Sequence, residues 1–176
     1  MANAGTDAQN AIKQAHEYGL ERNHLLTALL LFDTDVLAIG LPTAQELVLS
    51  NTFYWDLKNA TRAWTKRFRQ QKDRVPTMNQ AAAYCSVHHY LRAAQNSGRD
   101  PKLVAAAMRS LPVNDFYNEN VRIREDGRVL STMYLMQVKS PSESAYPDDI
   151  YKILSTTAGE RAFRPLGESE CSLVRK

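Results

Sequence analysis

The order of secondary-structure signals constrains this chain most. Strand and helix signals alternate first, three helices follow without a strand, and a hairpin signal comes only after them. The hairpin signal lies in residues 122–139, RIREDGRVLSTMYLMQVK, where Asp126-Gly127 is a favoured turn pair between two extended runs. We predict strands over residues 121–124 and 132–138. This order indicates a backbone that leaves one compact body, builds part of another and returns.

Strand–helix alternation in the first part of the chain predicts an α/β fold. Thr6 and Gln9 have the spacing of a capping box, so a helix is expected to begin there. Residues 25–32, LLTALLLF, form an apolar run of strand length, which predicts a strand covered by helices on both faces. A short helix and a second strand, over residues 46–51, are expected next. Since a strand ordinarily precedes such a first helix, the sequence is expected to begin within a strand–helix unit.

The middle of the chain predicts three successive helices. Asn59 is the expected N-cap of the first, Thr77 and Gln80 form a capping box for the second, and Asp100-Pro101 begins the third. Helical spacing gives the second helix an expected inward face of Ala81, Tyr84, Val87, His88 and Leu91.

Composition is that of a globular protein, and the charge balance gives little support for nucleic-acid binding. The 176 residues are 44% hydrophobic and 23% charged, with a formal net charge of +3. One basic string could suggest nucleic acid, but Trp64 and Phe68, four residues apart, define a core-facing stripe that leaves the string on a solvated outer face. We therefore predict no nucleic-acid partner. The string is Arg62, Lys66, Arg67, Arg69, Lys72 and Arg74.

No motif for catalysis, metal binding or cofactor binding is present. The sequence has no nucleophile elbow and no glycine-rich phosphate loop, and Cys85 and Cys171 match no zinc spacing. No apolar run approaches the roughly 20 residues that cross a bilayer. The first ten residues, MANAGTDAQN, lack the features of an export signal. We predict a protein without enzymatic activity, metal or cofactor.

Several segments, in matching order, resemble the C-terminal half of type I periplasmic solute-binding proteins of ABC importers, in particular the leucine/isoleucine/valine-binding branch. The resemblance covers essentially the whole chain, whereas family members are about twice as long. The segments are TDAQNAIKQAHEYGL, LLLFDTD, AQELVLSNTFYWDLKNATRAWTKRF, PTMNQAAAYCSVHHYLRAA, IREDGRVLSTMYLMQVKSP and AFRPL.

This resemblance implies a partial type I α/β fold, in which two lobes enclose a ligand cleft. Residues 1–51 and 132–176 would form a three-layer α/β portion of the second lobe. Residues 52–131 would be the helical flank of the first lobe, with crossovers near residues 51–53 and 131–133. This flank is expected to expose an apolar face that a first-lobe sheet would otherwise cover.

The resemblance also implies a ligand site built from loops and helix N-termini. Helix N-termini attract a ligand carboxylate, and an acidic side chain suits a ligand ammonium group. The family places ligand contacts in one second-lobe loop, at the acid after the apolar strand and at one position of the opposite lobe. We assign these contacts to this sequence by position. The corresponding residues are Asn3, Ala4, Gly5, Thr6, Phe32, Asp33 and Asn79.

Structural alternatives stay open for these residues. Asp33 could cap the helix that follows it, although Asp35 could serve in its place. Thr6 has the capping role already described. Asn79 is a polar amide where the amino-acid receptors carry an aromatic residue, so their ligand preference need not transfer.

The implied function is that of the solute-binding component of an ABC transporter, which binds an amino acid or related small carboxylate and presents its closed form to a membrane permease. The intact parent would be periplasmic. Two alternatives remain: a ligand-sensing regulatory module of the same fold, or a truncated product without binding activity.

Overall fold

The computed structural model describes residues 1–172 and 174, which contain a four-stranded sheet in the order β1-β2-β3-β4. β1 and β2 are parallel, whereas β3 is antiparallel to both β2 and β4. β2 and β3 are neighbours although more than eighty residues separate them in sequence. The strands are β1 (Thr27–Ala28), β2 (Val48–Asn51), β3 (Met133–Val138) and β4 (Tyr151–Thr157).

Helices precede the sheet strands and fill the connection between β2 and β3, which confirms the mixed α/β class. Within the described residues, no helix is both long and apolar enough to cross a membrane. The α-helices are α1 (Gly5–Glu17), α2 (Asp33–Ile39), α3 (Leu41–Ala44), α4 (Asn59–Lys72), α5 (Met78–Ser97), α6 (Pro101–Ser110) and α7 (Gly159–Ala162).

The core has two parts. The larger one joins the sheet to α1, α2 and α3, and buries Ile12, Leu31 and Met136. The smaller one surrounds Phe53, whose ring meets those of Trp64 and of residues after α6 edge-on. Burying one such side chain contributes about 1.5–3 kcal/mol, so each part is a substantial source of stability.

The expected strand over residues 25–32 is wrong in extent and in burial. Only Thr27–Ala28 is a strand, and Leu25 and Leu29 are 70% and 74% exposed. β1 has only β2 as a neighbouring strand, and just part of the apolar run, including Ala28 and Leu31, reaches the core. An apolar run identifies a segment that can be buried, but neighbouring elements decide how much of it is.

The expected hairpin is also only partly present. The Asp126-Gly127 turn forms, with the Gly127 N–H donating to Arg124 O at 2.9 Å. Its arms meet only at an isolated bridge between Ile123 and Val129, and β3 pairs with β2 and β4 instead. The prediction that the strand over residues 132–138 pairs with residues 121–124 is therefore wrong. That strand is β3, which lies between β2 and β4 and pairs with both of them.

The inward face predicted for α5 is wrong at most positions. Tyr84, Val87 and Leu91 are exposed, while the helix buries a neighbouring face of small and polar residues. Helices α5 and α6 approach each other on that face, and small side chains permit a close approach. The residues buried on α5 are Ala81, Cys85, His89 and Ala93.

Helix starts were predicted well where the cap is strong. Thr77 caps α5 together with Gln80, and Asp100 Oδ1 accepts the N–H groups of Lys102 and Leu103 at 2.9 and 3.0 Å. Thr6 does not cap α1, which begins one residue earlier and has no side-chain cap. Asn59 likewise lies inside α4, whose N-cap is the preceding residue.

Candidate functional site

The N-terminal segment and the loop after β1 lie side by side at one edge of the sheet. The amino group of Met1 donates to Thr27 O at 2.6 Å, and Leu29 N–H donates to Met1 O at 3.1 Å. This is a parallel pairing, so both segments leave the sheet in the same direction. One runs into α1 and the other into α2, and these helices pack together. The structure therefore brings the predicted residues 3–6 and 32–33 to one region.

The start of α1 is open. Ala4 is the N-cap residue with extended backbone, and no side chain of the described residues caps the helix. Gly5 has φ +58° with no atom within 4 Å of where a Cβ would lie, and Thr6 is exposed. The Asn3 amide donates to Asp7 O at 3.0 Å, while its Oδ1 is buried without a partner. The first N–H groups of α1 are thus left for an external acceptor.

Asp35, not Asp33, caps α2. The Phe32 N–H donates to Asp35 Oδ2 at 3.0 Å, and Gln9 Nε2 donates to Asp35 Oδ1 at 2.8 Å. Asp33 is the first residue of the helix and is 1% exposed, and among the described residues neither of its oxygens has a hydrogen-bond partner. The capping alternative for Asp33 is therefore wrong, since Asp35 fills that role.

Burial raises the pKa of Asp33 to about 7, and the negative charge of Asp148 adds to this effect. Burial raises the pKa of Tyr151, and the charge of Asp33 raises it further. The Tyr151 hydroxyl has no hydrogen-bond partner among the residues that the structure describes. The ring of Tyr54 lies edge-on to that of Tyr151 at 5.1 Å. We call Asp33, Tyr54, Tyr151 and Asp148 the Asp33 cluster. Its unpartnered carboxyl, next to aromatic rings, has the chemistry that attracts a cationic group.

Hydrogen bonds at the Asp33 cluster connect the loop before β4 to the segment after β2. The Tyr54 hydroxyl donates to Asp148 O and accepts the Ile150 N–H, both at 3.1 Å. Trp55 Nε1 also donates to Asp148 O, at 3.0 Å. Arg69 of α4 forms an ion pair with the Asp148 carboxylate and lies 5.7 Å over the Trp55 ring. These contacts connect α4 to the side of the sheet that holds Asp33.

Asn79 lies apart from the other predicted residues. It is exposed on the first turn of α5, and its N–H donates to Thr77 Oγ1 at 3.3 Å. Its side chain makes no hydrogen bond within the described part of the chain.

Sequence reasoning missed Tyr151 and Asp148. Tyr151 begins β4 and Asp148 lies in the loop before it, and neither position carries a local sequence signal for proximity to Asp33.

The predicted residues do not line the large open cavities. A cavity of about 700 Å³ lies between α5, α6 and the Asp126-Gly127 turn, and it is bordered by His89, Met108 and Val129. A second, of about 330 Å³, is bordered by Lys58 and Tyr134. Apolar side chains such as Met108 and Val129 form part of the lining of the first cavity, and the expectation that a first-lobe sheet would cover an apolar face of residues 52–131 stays a prediction.

Solved structures that are similar to this chain include periplasmic binding proteins. A periplasmic binding protein from Burkholderia mallei is 44% identical with a TM-score of 0.92, and the match covers 98% of this chain and 46% of that one. A branched-chain amino acid ABC transporter periplasmic ligand-binding protein from Burkholderia xenovorans is 33% identical, with a TM-score of 0.89 and the same coverage. The leucine-, isoleucine-, valine-, threonine- and alanine-binding protein of Brucella ovis, in its closed conformation, is 16% identical with a TM-score of 0.75, covering 93% and 44%, and supports the fold alone. The chain thus spans less than half the length of these proteins.

The family model for periplasmic binding proteins matches residues 1–145. This chain belongs to the periplasmic binding protein family. The membership confirms the resemblance noted from the sequence, with a mixed α/β, partial type I fold. The family is non-enzymatic, which confirms the expectation that the chain is not an enzyme. Among curated proteins, none matches this chain.

Proposed function

We propose that this chain forms one wall of the ligand cleft of an ABC-transporter solute-binding protein, and that the solute is an amino acid or a related small carboxylate. One observation carries the proposal: the buried, unpartnered carboxyl of Asp33 lies in the region where α1 begins without a cap. The similarity to the branched-chain amino acid ABC transporter protein of Burkholderia xenovorans supports the same solute class.

The two features suit the two ends of an amino acid. The open N–H groups at Gly5 and Thr6, together with the helix dipole, would bind the solute carboxylate. The Asp33 carboxylate would bind the ammonium group, with Phe32 beside it. Because Asp33 is almost fully buried, the ammonium group would reach it only after the residues that cover it move aside. Solute binding is therefore coupled to a conformational change in this proposal.

The lobe assignment is part of the proposal. Residues 1–51 and 132–176 would belong to the second lobe, and residues 52–131 would be the helical flank of the first. The separate core around Phe53 and the long connection between β2 and β3 support this division. Asn79 would then face the cleft from the first lobe. The intact parent would be periplasmic and would present its closed form to a membrane permease.

Calorimetric titration of the chain with leucine and with two analogues tests the solute class. The analogues are isoamylamine, which lacks the carboxylate, and 4-methylpentanoate, which lacks the ammonium group. We expect leucine to bind more tightly than either analogue. We also expect Asp33→Asn to weaken leucine binding without changing the affinity for 4-methylpentanoate, because Asp33 is assigned to the ammonium group. Asp73→Asn, an exposed carboxyl at the end of α4, is the matched control and should bind leucine like the parent.

The same titration is repeated after co-expression with the part of the Burkholderia mallei protein that this chain does not match. We expect the added part to tighten binding, since the cleft then has both walls. If neither preparation binds any amino acid, the proposal is wrong and the truncated product without binding activity becomes the better account. If Asp33→Asn binds as the parent does, the assignment of the ammonium site is wrong.

A further inference from the structure

Asp33 differs from the other carboxyl groups near its cluster in having no partner. Asp35 accepts two hydrogen bonds, from Phe32 N–H and from a glutamine of α1. Asp148 pairs with an arginine of α4, and Asp149 pairs with a lysine just after β3. Among the described residues, neither a hydrogen-bond donor nor a cation reaches the Asp33 oxygens.

The elements around Asp33 bring it no positive charge. The buried face of α1 consists of small and apolar residues, and α3 carries no titratable side chain. β4 and the segment after β2 contribute the hydroxyls of Tyr151 and Tyr54, and burial raises the pKa of both, so both are neutral near pH 7. The charge that acts on Asp33 from another element is that of Asp148, which is negative.

A carboxyl group in these surroundings is most stable in its neutral form, because an ionised carboxylate that has left water without a partner loses its hydration. Burial accordingly raises the pKa of Asp33 to about 7, and the charge of Asp148 adds to the effect. The cover comes from this chain's own residues, since Asp33 is buried within them. The greater length of the relatives therefore does not account for the burial.

We propose that Asp33 exchanges its proton for the ammonium group of the solute, so that solute binding releases a proton and is weakened by acid. This inference rests on the proposed function, in which Asp33 binds the ammonium group. The O–H bond of the Asp33 carboxyl breaks and its proton passes to the buffer. The carboxylate that remains forms an ion pair with the ammonium group, which keeps its own protons. The ion pair gives the carboxylate the partner that the protein does not supply.

Linkage gives the sign and the size of the effect. Half of the Asp33 carboxyls are ionised near pH 7 in the free chain. Below that pH, the free chain carries a proton that the complex lacks. The dissociation constant for leucine should therefore fall about tenfold for each pH unit from 5 toward 7, and become level above 8. A solute without an ammonium group leaves Asp33 protonated and should show no such dependence.

Calorimetric titration of the whole chain with leucine, in phosphate and in imidazole buffer, counts the released protons, because the two buffers differ in ionisation enthalpy. Leucine stays zwitterionic between pH 5 and 8, so the protons come from the protein. We expect about 0.8 proton released for each bound leucine at pH 6.5, and about 0.1 at pH 8. Binding of 4-methylpentanoate should release none. The co-expressed preparation described above is titrated in the same way.

Two variants locate the proton at Asp33. Asp33→Asn should bind leucine with a level affinity between pH 5 and 8 and release no proton. Asp73→Asn, which removes an exposed carboxyl at the end of α4, is the matched control and should keep the proton release of the parent.

Carbon-13 NMR of the Asp33 carboxyl adds a measurement that needs no solute. The signal is assigned by its loss in Asp33→Asn. Its titration midpoint should lie near pH 7 in the free chain and fall below 5 when leucine is saturating.

The outcomes separate this inference from the proposed function. Leucine binding without proton release, or with equal affinity at pH 5 and pH 8, would overturn the inference and leave the proposed function standing. A carboxyl midpoint near pH 4 in the free chain would also overturn it, whether or not leucine binds. Absence of leucine binding in both preparations would overturn the proposed function, and the inference with it.

Discussion

Asp33 and Asp35 lie in the first turn of the same helix, yet within the part of the chain that the structure describes Asp35 accepts two hydrogen bonds and Asp33 accepts none. Asp35 is bonded to the Phe32 N–H and to Gln9 Nε2, while Asp33 is buried beside the aromatic rings of its cluster. The unequal surroundings give the two carboxyls different roles. One stabilises the helix start, and the other keeps an unsatisfied acceptor that a ligand could use.

The Asp33 carboxyl should make the protein less stable as the pH rises toward neutrality. Its pKa of about 7 in the folded chain lies above the ordinary value of 3.8, so the folded state keeps a proton that the unfolded state loses. Stability therefore falls as the pH rises from about 4 to 7, and above that range the ionised carboxyl costs about 4 kcal/mol. Asp33→Asn should be more stable than the parent at pH 8 by about 2 kcal/mol, less than the full cost because the amide is also unpartnered.

Urea unfolding followed by circular dichroism at pH 5 and pH 8 measures this effect. The advantage of Asp33→Asn should shrink at pH 5, where Asp33 is neutral in the folded parent. The lowered pKa values of Asp126 and Glu143, about 2 each, add no slope in this window. Parent stability that is level between pH 5 and 7 would show that Asp33 does not titrate as described.

Asp35→Asn should have the opposite sign. An amide can accept only one of the two hydrogen bonds that Asp35 now accepts, and its NH2 group would face the second donor. We expect a loss of about 1–2 kcal/mol at pH 7. The same urea experiment serves as the measurement. An Asp35→Asn protein as stable as the parent would mean that these bonds contribute nothing to the helix start.

Gly159 allows α7 to lie directly against the backbone of Leu130 and Ser131. A Cβ at this position would come within 1.9 Å of Leu130 O and 2.9 Å of Ser131 O, and both contacts are backbone. Gly159→Ala should therefore destabilise the chain by about 2 kcal/mol or more and speed amide exchange in residues 121–131. Gly167→Ala is the control, since nothing lies within 4 Å of its added methyl group. Similar thermal unfolding of the two variants would argue against close packing at Gly159.

The two threonines predicted to cap helices should differ in their contribution to stability. Thr77 Oγ1 accepts from Asn79 N–H and its own N–H donates to Gln80 Oε1 at 2.8 Å, whereas Thr6 has no capping bond. Thr77→Ala should cost about 1 kcal/mol, and Thr6→Ala should be nearly neutral. Thermal unfolding compares them directly. An equal loss for both would show that the start of α1 is capped after all.

The Arg69–Asp148 pair should contribute modestly, because solvent screens it in part. The two side chains are 39% and 23% exposed, so a double-mutant cycle of Arg69→Met and Asp148→Asn should give a coupling energy of about 1 kcal/mol, smaller at high salt. Arg122→Met is the control, since Arg122 and Glu160 are each 63% exposed and little loss is expected. A coupling energy near zero would mean that the pair does not hold α4 to the β4 loop.

Local signals explain which predictions succeeded. Thr77 with Gln80 and Asp100 with Pro101 mark helix starts through bonds that span only three residues. Helical spacing also accounts for the buried face of α1, which includes Ala8 and Ile12. The α5 face was predicted wrongly, because periodicity identified an apolar stripe that this fold leaves exposed.

The site residues also have some features that the sequence shows and others that only the tertiary structure shows. That Asp33 follows an apolar run is visible in the sequence, and so is the choice between Asp33 and Asp35 as the cap. The effect of the Asp33 charge on the pKa of Tyr151 is not visible, since more than a hundred residues separate the two in sequence.

The amino-acid sequence by itself determined the element order, the α/β class, the strong helix caps and the relationship to periplasmic binding proteins, because these depend on neighbouring residues and on the order of segments. The tertiary structure alone decided that β3 pairs with β2 and β4, that α5 buries its small side chains, and that Asp33 has no partner. Those outcomes depend on surfaces from distant parts of the chain meeting in space, where hydrogen bonds and close packing select one arrangement among several that the local pattern allows.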